Sequence, residues 1–203
     1  PRRCASESRR ARCGTSTTNT PRAVWSSLAT PALRMFTPVA AIGEIPMGIA
    51  VSASSKLGSI KDLIDAARAQ PGTLSFAAVG PATTQHIAGE MFKRVAGIDM
   101  TYTPFTGGLL AANAVMGGHV SMVLTNLNEV AGLLESGKLR PLAVTTRDRL
   151  DVLPQVPTVI EQGYKDYEAV AWFAIATPAG TPPDITQKIA DDLQQALNDP
   201  EVR

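Results

Sequence analysis

The sequence predicts an α/β protein in which strands and helices alternate. Four short segments have the composition and the bounding turn residues of strands: Thr73–Val79, Asp99–Thr103, His119–Leu124 and Leu139–Thr145. Segments whose apolar residues recur at helical spacing precede and separate them. This alternation is typical of a parallel sheet with helices on both faces, where ligands bind at the carboxyl ends of the strands.

Capping and stop signals mark the boundaries of the predicted helices. Ser59 can cap the first helix, which Pro71-Gly72 ends, and Thr83 or Thr84 can cap the second. Further elements are predicted as helices from Gly107 to Met116, over Leu127–Leu134 and over Pro183–Asn198, and as a strand over Glu168–Ala176. The last helix carries an apolar stripe that requires a partner surface.

Composition excludes several classes of function. The 203 residues are 44% hydrophobic and 18% charged, which is sufficient for one large domain or two small ones with a proper core. The formal net charge is +1, and no basic face of the kind that binds nucleic acid is found beyond the first dozen residues. No apolar run approaches the roughly 20 residues of a membrane span, so no membrane insertion is predicted.

The first 13 residues differ from the rest of the chain. They hold both cysteines, Cys4 and Cys13, and a cluster of arginines without hydrophobic periodicity. We interpret residues 1–13 as a disordered basic leader without a disulfide framework. A nucleic-acid or membrane arm is the alternative reading, which nothing downstream supports.

No catalytic or cofactor motif is found. The dinucleotide-binding glycine pattern, the phosphate-binding loop and the nucleophile elbow are all missing. His86 and His119 do not stand in a metal-spaced cluster. The sequence therefore predicts no cofactor, no metal and no catalytic residues.

The segment from Gly80 to His86 is the most informative one. It combines a strand end, a tight loop of small residues and a helix start, where unpaired N–H groups and the helix dipole favour an anion. Gly80, Ala82, Thr83 and Thr84 are the candidates for holding a carboxylate there. A helix cap by Thr83 with a plain turn before it explains the same residues. For His86 we predict pairing with a carboxylate four residues on, Glu90, and a ligand contact is the alternative.

Two more loops follow strands at the same predicted sheet edge. Phe105 and Gly107 lie in one, where glycine lets a ligand approach the backbone and Phe105 can flank its apolar part. Asn126 follows the next strand and can both donate and accept a hydrogen bond. Taken singly, a core Phe beside a helix start and a plain Asn helix cap are the simpler readings; three loops converging on one edge favour a site.

Several motifs together resemble the tripartite tricarboxylate transporter receptor family, also called Bug proteins. The resemblance runs from about Gly14 to Arg203. It rests on the order and spacing of Gly14-Thr15-Ser16, Gly80 to His86, Gly117-Gly118-His119-Val120, Ser136 to Thr145, Leu153 to Thr158, Trp172-Phe173 and Pro178 to Pro182.

The resemblance implies a type II periplasmic binding protein, with two α/β lobes and a central cleft. Such receptors bind small organic carboxylates in the periplasm and deliver them to membrane permease subunits, without catalysis. Carried over residue by residue, it implies ligand-binding roles for Thr15, Ser16 and Thr17 from the first lobe, and for Gly80, Ala82, Thr83, Thr84, Phe105, Gly107 and Asn126 from the second.

This chain departs from the family pattern at its ends. The family's N-terminal strand and its Pro/Gly-rich loop are not found, so we expect an incomplete first lobe formed by residues 14–47 and 171–203. The second lobe is expected over residues 48–170. A ligand-sensing domain of a regulatory system is the alternative function, and an α/β enzyme is a third.

Overall fold

The structure, a computed structural model, describes residues 34–199. Its elements are β1 (Phe36–Ser52), α1 (Ile60–Ala69), β2 (Ser75–Val79), α2 (Thr84–Ala96), β3 (Thr101–Phe105), α3 (Gly108–Met116), β4 (Met122–Asn126), α4 (Leu127–Glu135), β5 (Leu139–Val144), β6 (Val170–Pro178) and α5 (Pro183–Leu197). The α/β fold class is confirmed, and each predicted strand and helix is present within a few residues.

The sheet has the strand order β3-β2-β4-β1-β5, and β6 also pairs with β1. Strand β2 is parallel to both β3 and β4, as the alternation predicted. Strand β1 was not predicted from the sequence; it runs antiparallel to β4 and β5, so the sheet is mixed rather than parallel throughout. Strand β1 precedes the first helix and so belongs to none of the strand–helix units from which the parallel sheet was predicted.

Helices cover both faces of the sheet, and alternate strand residues contact them. On one face, Phe76 and Leu124 pack with buried residues of α1 and α2, such as Leu63 and Phe92. On the other face, the strand residues next to Phe76 and Leu124 pack with α3 and α4. This second cluster includes Ala77, Val123, Ala111, Val115 and Val130. The period of two along a strand thus places one apolar set on each face.

Two compact units share the chain. Gly43–Phe173 forms one of them and includes α1–α4 and β2–β5. The described residues 34–42 and 174–199 belong to the other. Within this second unit, Ala179 N donates to the Met35 carbonyl (2.7 Å) and α5 has no buried residue. Across residues 34–199, no helix is both long enough and apolar enough to span a membrane.

Gly89 of α2 is where a side chain would disturb the core most directly. A Cβ on Gly89 would overlap the buried ring of Phe76, with Cδ2 and Cζ each 2.9 Å away. We predict that Gly89→Ala lowers the free energy of unfolding by about 1–3 kcal/mol, the usual cost of overpacking. Urea denaturation measures it.

Gly132 provides the matched control, since it lies in α4 and a Cβ there would meet nothing within 4 Å. Gly132→Ala should raise the free energy of unfolding by up to about 1 kcal/mol through helix propensity. Equal effects of the two substitutions would contradict the close contact of α2 with β2.

Candidate functional site

Three loops lie together at one edge of the sheet because the strands before them are parallel neighbours. Val79 pairs with Phe105, so β2 and β3 end at the same level. Ala77 pairs with Val123, which brings the end of β4 to that edge as well. We call the segments that follow these strand ends the loop edge: residues 80–84, 106–108 and 126–129.

The first loop is held by hydrogen bonds to its own helix and to the second loop. Gly80 N donates to the Phe105 carbonyl (3.0 Å). Thr83 Oγ1 accepts from His86 N (3.3 Å) and lies 2.9 Å from the Gly80 carbonyl, to which it donates. Thr83 is therefore the N-cap of α2. Its hydroxyl is engaged within the protein.

Thr84 is the first residue of α2, and its side chain is exposed. It lines a cavity of about 390 Å³ together with apolar residues of α2 and residues of the segment 168–172, namely Ile87, Ala88, Met91, Glu168, Ala169, Val170 and Trp172. No acidic side chain stands in the first turn of α2. The N-terminus of this helix therefore keeps its positive potential.

His86 organises the first loop from within the helix. Its Nδ1 accepts a hydrogen bond from Ala82 N (3.2 Å), and its ring stacks on Tyr102 at 4.0 Å between centroids. Ala82 has a φ of 61°, a left-handed conformation unusual for a non-glycine residue. The predicted pairing of His86 with Glu90 is wrong, since His86 reaches back to the loop and Glu90 pairs with Lys93.

Tyr102 of β3 supports this loop, although its role was not predicted from the sequence. Its hydroxyl donates to the carbonyl of Val79, the last residue of β2, at 2.9 Å. Burial raises the pKa of Tyr102 above its usual value, because the phenolate would be poorly solvated. The signal in the sequence was its place three residues before Phe105, on the strand that precedes the second loop.

The second loop begins α3. Gly107 is the N-cap and has no side chain to close the helix end. Instead, Gly108 N donates to Glu129 Oε2 of α4 at 2.9 Å. Phe105 is half-buried and packs against the core cluster of α3 and α4, as the simpler reading of this residue expected.

Asn126 occupies the N-cap position of α4, but its side chain makes no capping hydrogen bond. The simple helix-cap reading is therefore wrong for this residue. Its Nδ2 donates to Glu129 Oε1 at 2.6 Å. Asn126 Oδ1 and Thr125 Oγ1 are buried and have no hydrogen-bond partner in the part of the chain that the structure describes. Glu129, not predicted from the sequence, thus links the second and third loops.

The two helix N-termini differ in what they offer an anion. The carboxylate of Glu129 already accepts from the first N–H of α3. At α2, His86 N is satisfied by Thr83, while the first N–H groups of a helix have no intrahelical partner. Within residues 34–199 no cluster of three metal-ligating side chains is found. The arrangement suits binding of an external anion at α2.

The predicted site residues divide into two groups. Gly80, Ala82, Thr83 and Thr84 lie in the first loop, and the second and third loops add Phe105, Gly107 and Asn126, all at the loop edge. Thr15, Ser16 and Thr17 lie outside the described residues.

Comparison with known sequences gives one family. The model of the tripartite tricarboxylate transporter family receptor matches residues 12–203. BugT of Bordetella pertussis is 32% identical over 160 residues, which are 79% of this chain and 49% of BugT. A protein encoded in the tcbD-tcbE intergenic region of Pseudomonas sp. (strain P51) is 31% identical over 170 residues, 83% of this chain and 51% of that protein. The chain spans about half the length of these curated relatives.

Solved structures agree with the sequence comparison. R. palustris Rpa4515 with adipate is 34% identical with a TM-score of 0.72, over 82% of this chain and 56% of that chain. MatC (Rpa3494) from Rhodopseudomonas palustris with bound malate is 26% identical with a TM-score of 0.73, over 83% and 57%. The chain belongs to the tripartite tricarboxylate transporter receptor family of solute-binding proteins.

Proposed function

We propose that this chain is the ligand-binding part of a periplasmic receptor that captures a small organic carboxylate for the permease subunits of a tripartite tricarboxylate transporter. The observation that supports it is the N-terminus of α2, which lies at the loop edge without an acidic side chain in its first turn. The structures of Rpa4515 with adipate and MatC with malate support carboxylates as the ligand class.

A carboxylate at α2 would be held by neutral donors. Thr84 contributes its exposed hydroxyl. The backbone N–H groups at the start of the helix add further donors, and the positive end of the helix dipole lies at the same place. The small residues Gly80 and Ala82 leave the backbone accessible, and nothing lies within 4 Å of a Cβ built on Gly80. Such binding is pre-organised, because Thr83 and His86 already fix the loop.

The rest of the receptor belongs to the same proposal. Residues 48–170 form the second lobe, and residues 14–47 with 171–203 contribute to the first. Thr15, Ser16 and Thr17 contact the ligand from the first lobe. Two-lobe receptors gain affinity by closing on their ligand, so high affinity requires both lobes to be complete. No catalytic step is part of this function.

A thermal-shift screen of the full-length gene product against a panel of carboxylates tests the proposal. A ligand that binds only the native state must raise the melting temperature. We expect a shift with at least one carboxylate, lost in Thr84→Ala and kept in Thr84→Ser, which retains the hydroxyl. No shift with any acid from a well-folded protein would overturn carboxylate capture and favour the sensing-domain reading with another ligand.

Thr83 and Thr84 are neighbours with different expected roles. Thr83→Ala removes the cap of α2 and should lower the free energy of unfolding by about 1 kcal/mol. Thr84→Ala should leave that free energy within about 0.5 kcal/mol, as for a surface substitution. Urea denaturation without ligand measures both. The reverse order of effects would show that the cap has been assigned to the wrong threonine.

A further inference from the structure

Glu129 determines which way the amide of Asn126 faces. Its two carboxylate oxygens accept from Gly108 N (2.9 Å) and from Asn126 Nδ2 (2.6 Å). A carboxylate can only accept hydrogen bonds, so the amide nitrogen must face Glu129 and the amide oxygen must face away from it. The orientation of this amide therefore follows from the chemistry of its neighbour.

This orientation leaves an acceptor at the loop edge without a donor. Asn126 Oδ1 is buried and has no partner within residues 34–199. The adjacent Thr125, only 1% exposed, has a hydroxyl oxygen in the same situation. Burying a polar oxygen without a hydrogen bond costs free energy that folding would ordinarily avoid. The described part of the chain thus supplies no donor for Asn126 Oδ1.

Gly108 makes the Glu129 contact possible. A Cβ at Gly108 would overlap both Thr125 Oγ1 and Glu129 Oε2. Only glycine lets α3 approach the end of β4 so closely that one carboxylate reaches both loops. The fixed amide of Asn126 thus depends on backbone packing as well as on charge.

From these contacts we infer that the ligand carries a hydrogen-bond donor, a hydroxyl or an ammonium group, beside its carboxylate, and that Asn126 Oδ1 accepts from it. The inference rests on the proposed function, since it concerns a second part of the same ligand. Asn126 is the recognition residue, and Glu129 is a positioning residue that acts through it. A keto oxygen or a second carboxylate oxygen beside Asn126 would face the acceptor Oδ1 and the negative charge of Glu129, and both would repel it.

Matched series of acids test this inference in the full-length gene product. Succinate, malate and aspartate share a carbon skeleton and differ by hydrogen, hydroxyl and ammonium; glutarate, 2-hydroxyglutarate and glutamate repeat the comparison one carbon longer. Isothermal titration calorimetry gives each Kd. We expect the hydroxy or amino acid of the series that binds to have a Kd at least about tenfold below that of the unsubstituted acid. The tighter of the two identifies the donor as hydroxyl or ammonium.

Glu129→Gln tests the positioning role. The glutamine amide can donate to Asn126 Oδ1 and accept from Gly108, so the Asn126 amide is free to turn over and present its nitrogen. The preference for the donor-bearing acid should fall about tenfold, and 2-oxoglutarate should bind relatively better. A purely structural role would weaken all acids alike and leave the ratio of Kd values unchanged.

Two further variants keep the test decisive. Glu135→Gln removes the same charge from the exposed end of α4 and should leave the preference intact. Asn126→Ala removes the acceptor and should abolish the preference even if Glu129→Gln does not fold.

Binding of substituted and unsubstituted acids with equal Kd values, as a bound water at Asn126 would produce, overturns the inference while the proposed function stands. If neither series binds, the comparison is repeated with the acid that shifts the melting temperature and its 2-hydroxy and 2-amino derivatives; only the absence of binding by every acid of the panel overturns the proposed function itself.

Discussion

The parallel pairing of β2 between β3 and β4 is the constraint on which the candidate site depends. Because Val79 is level with Phe105, and Ala77 with Val123, three chain segments far apart in sequence must leave the sheet at one edge. The helices that follow begin there with their N-termini at the strand ends. The pairing that builds the core therefore also concentrates unsatisfied backbone donors in one place, as expected for ligand sites of such sheets.

The protein satisfies these donors differently at each loop. At α2 a threonine hydroxyl caps one N–H group and no charge is used, whereas at α3 the carboxylate of Glu129 performs the capping. A carboxylate at a helix N-terminus is itself favourable, so α3 gains stability from an internal anion. The consequence is a division of roles: the loop without an internal anion suits an external carboxylate, and the loop with one is better suited to orienting a polar side chain.

The strand–helix alternation could be predicted because each unit carries its own local signals, such as the Ser59 cap and the stop at Pro71-Gly72. Strand β1 could not, since its partner residues lie far along the chain, as in the pairing of Met47 with Asn126. The three loops were predicted from their small and polar residues. The contacts of Glu129 were not, because its partner Gly108 lies 21 residues earlier and only the packing of α3 on β4 brings them together.

His86 illustrates a physical limit of helix-periodicity arguments. His86, in the first turn of α2, has the acidic residue Glu90 one turn ahead, but it also has a loop behind it whose N–H groups need acceptors. A neutral imidazole nitrogen accepts a hydrogen bond, and here the loop N–H of Ala82 meets that need while the stacked ring of Tyr102 holds the imidazole in place. The unpaired N–H groups that let a helix N-terminus bind a ligand thus also form hydrogen bonds with the protein's own acceptors. The carboxylate that we propose for this edge would add to the hydrogen bonds that Thr83, His86 and Glu129 already make there.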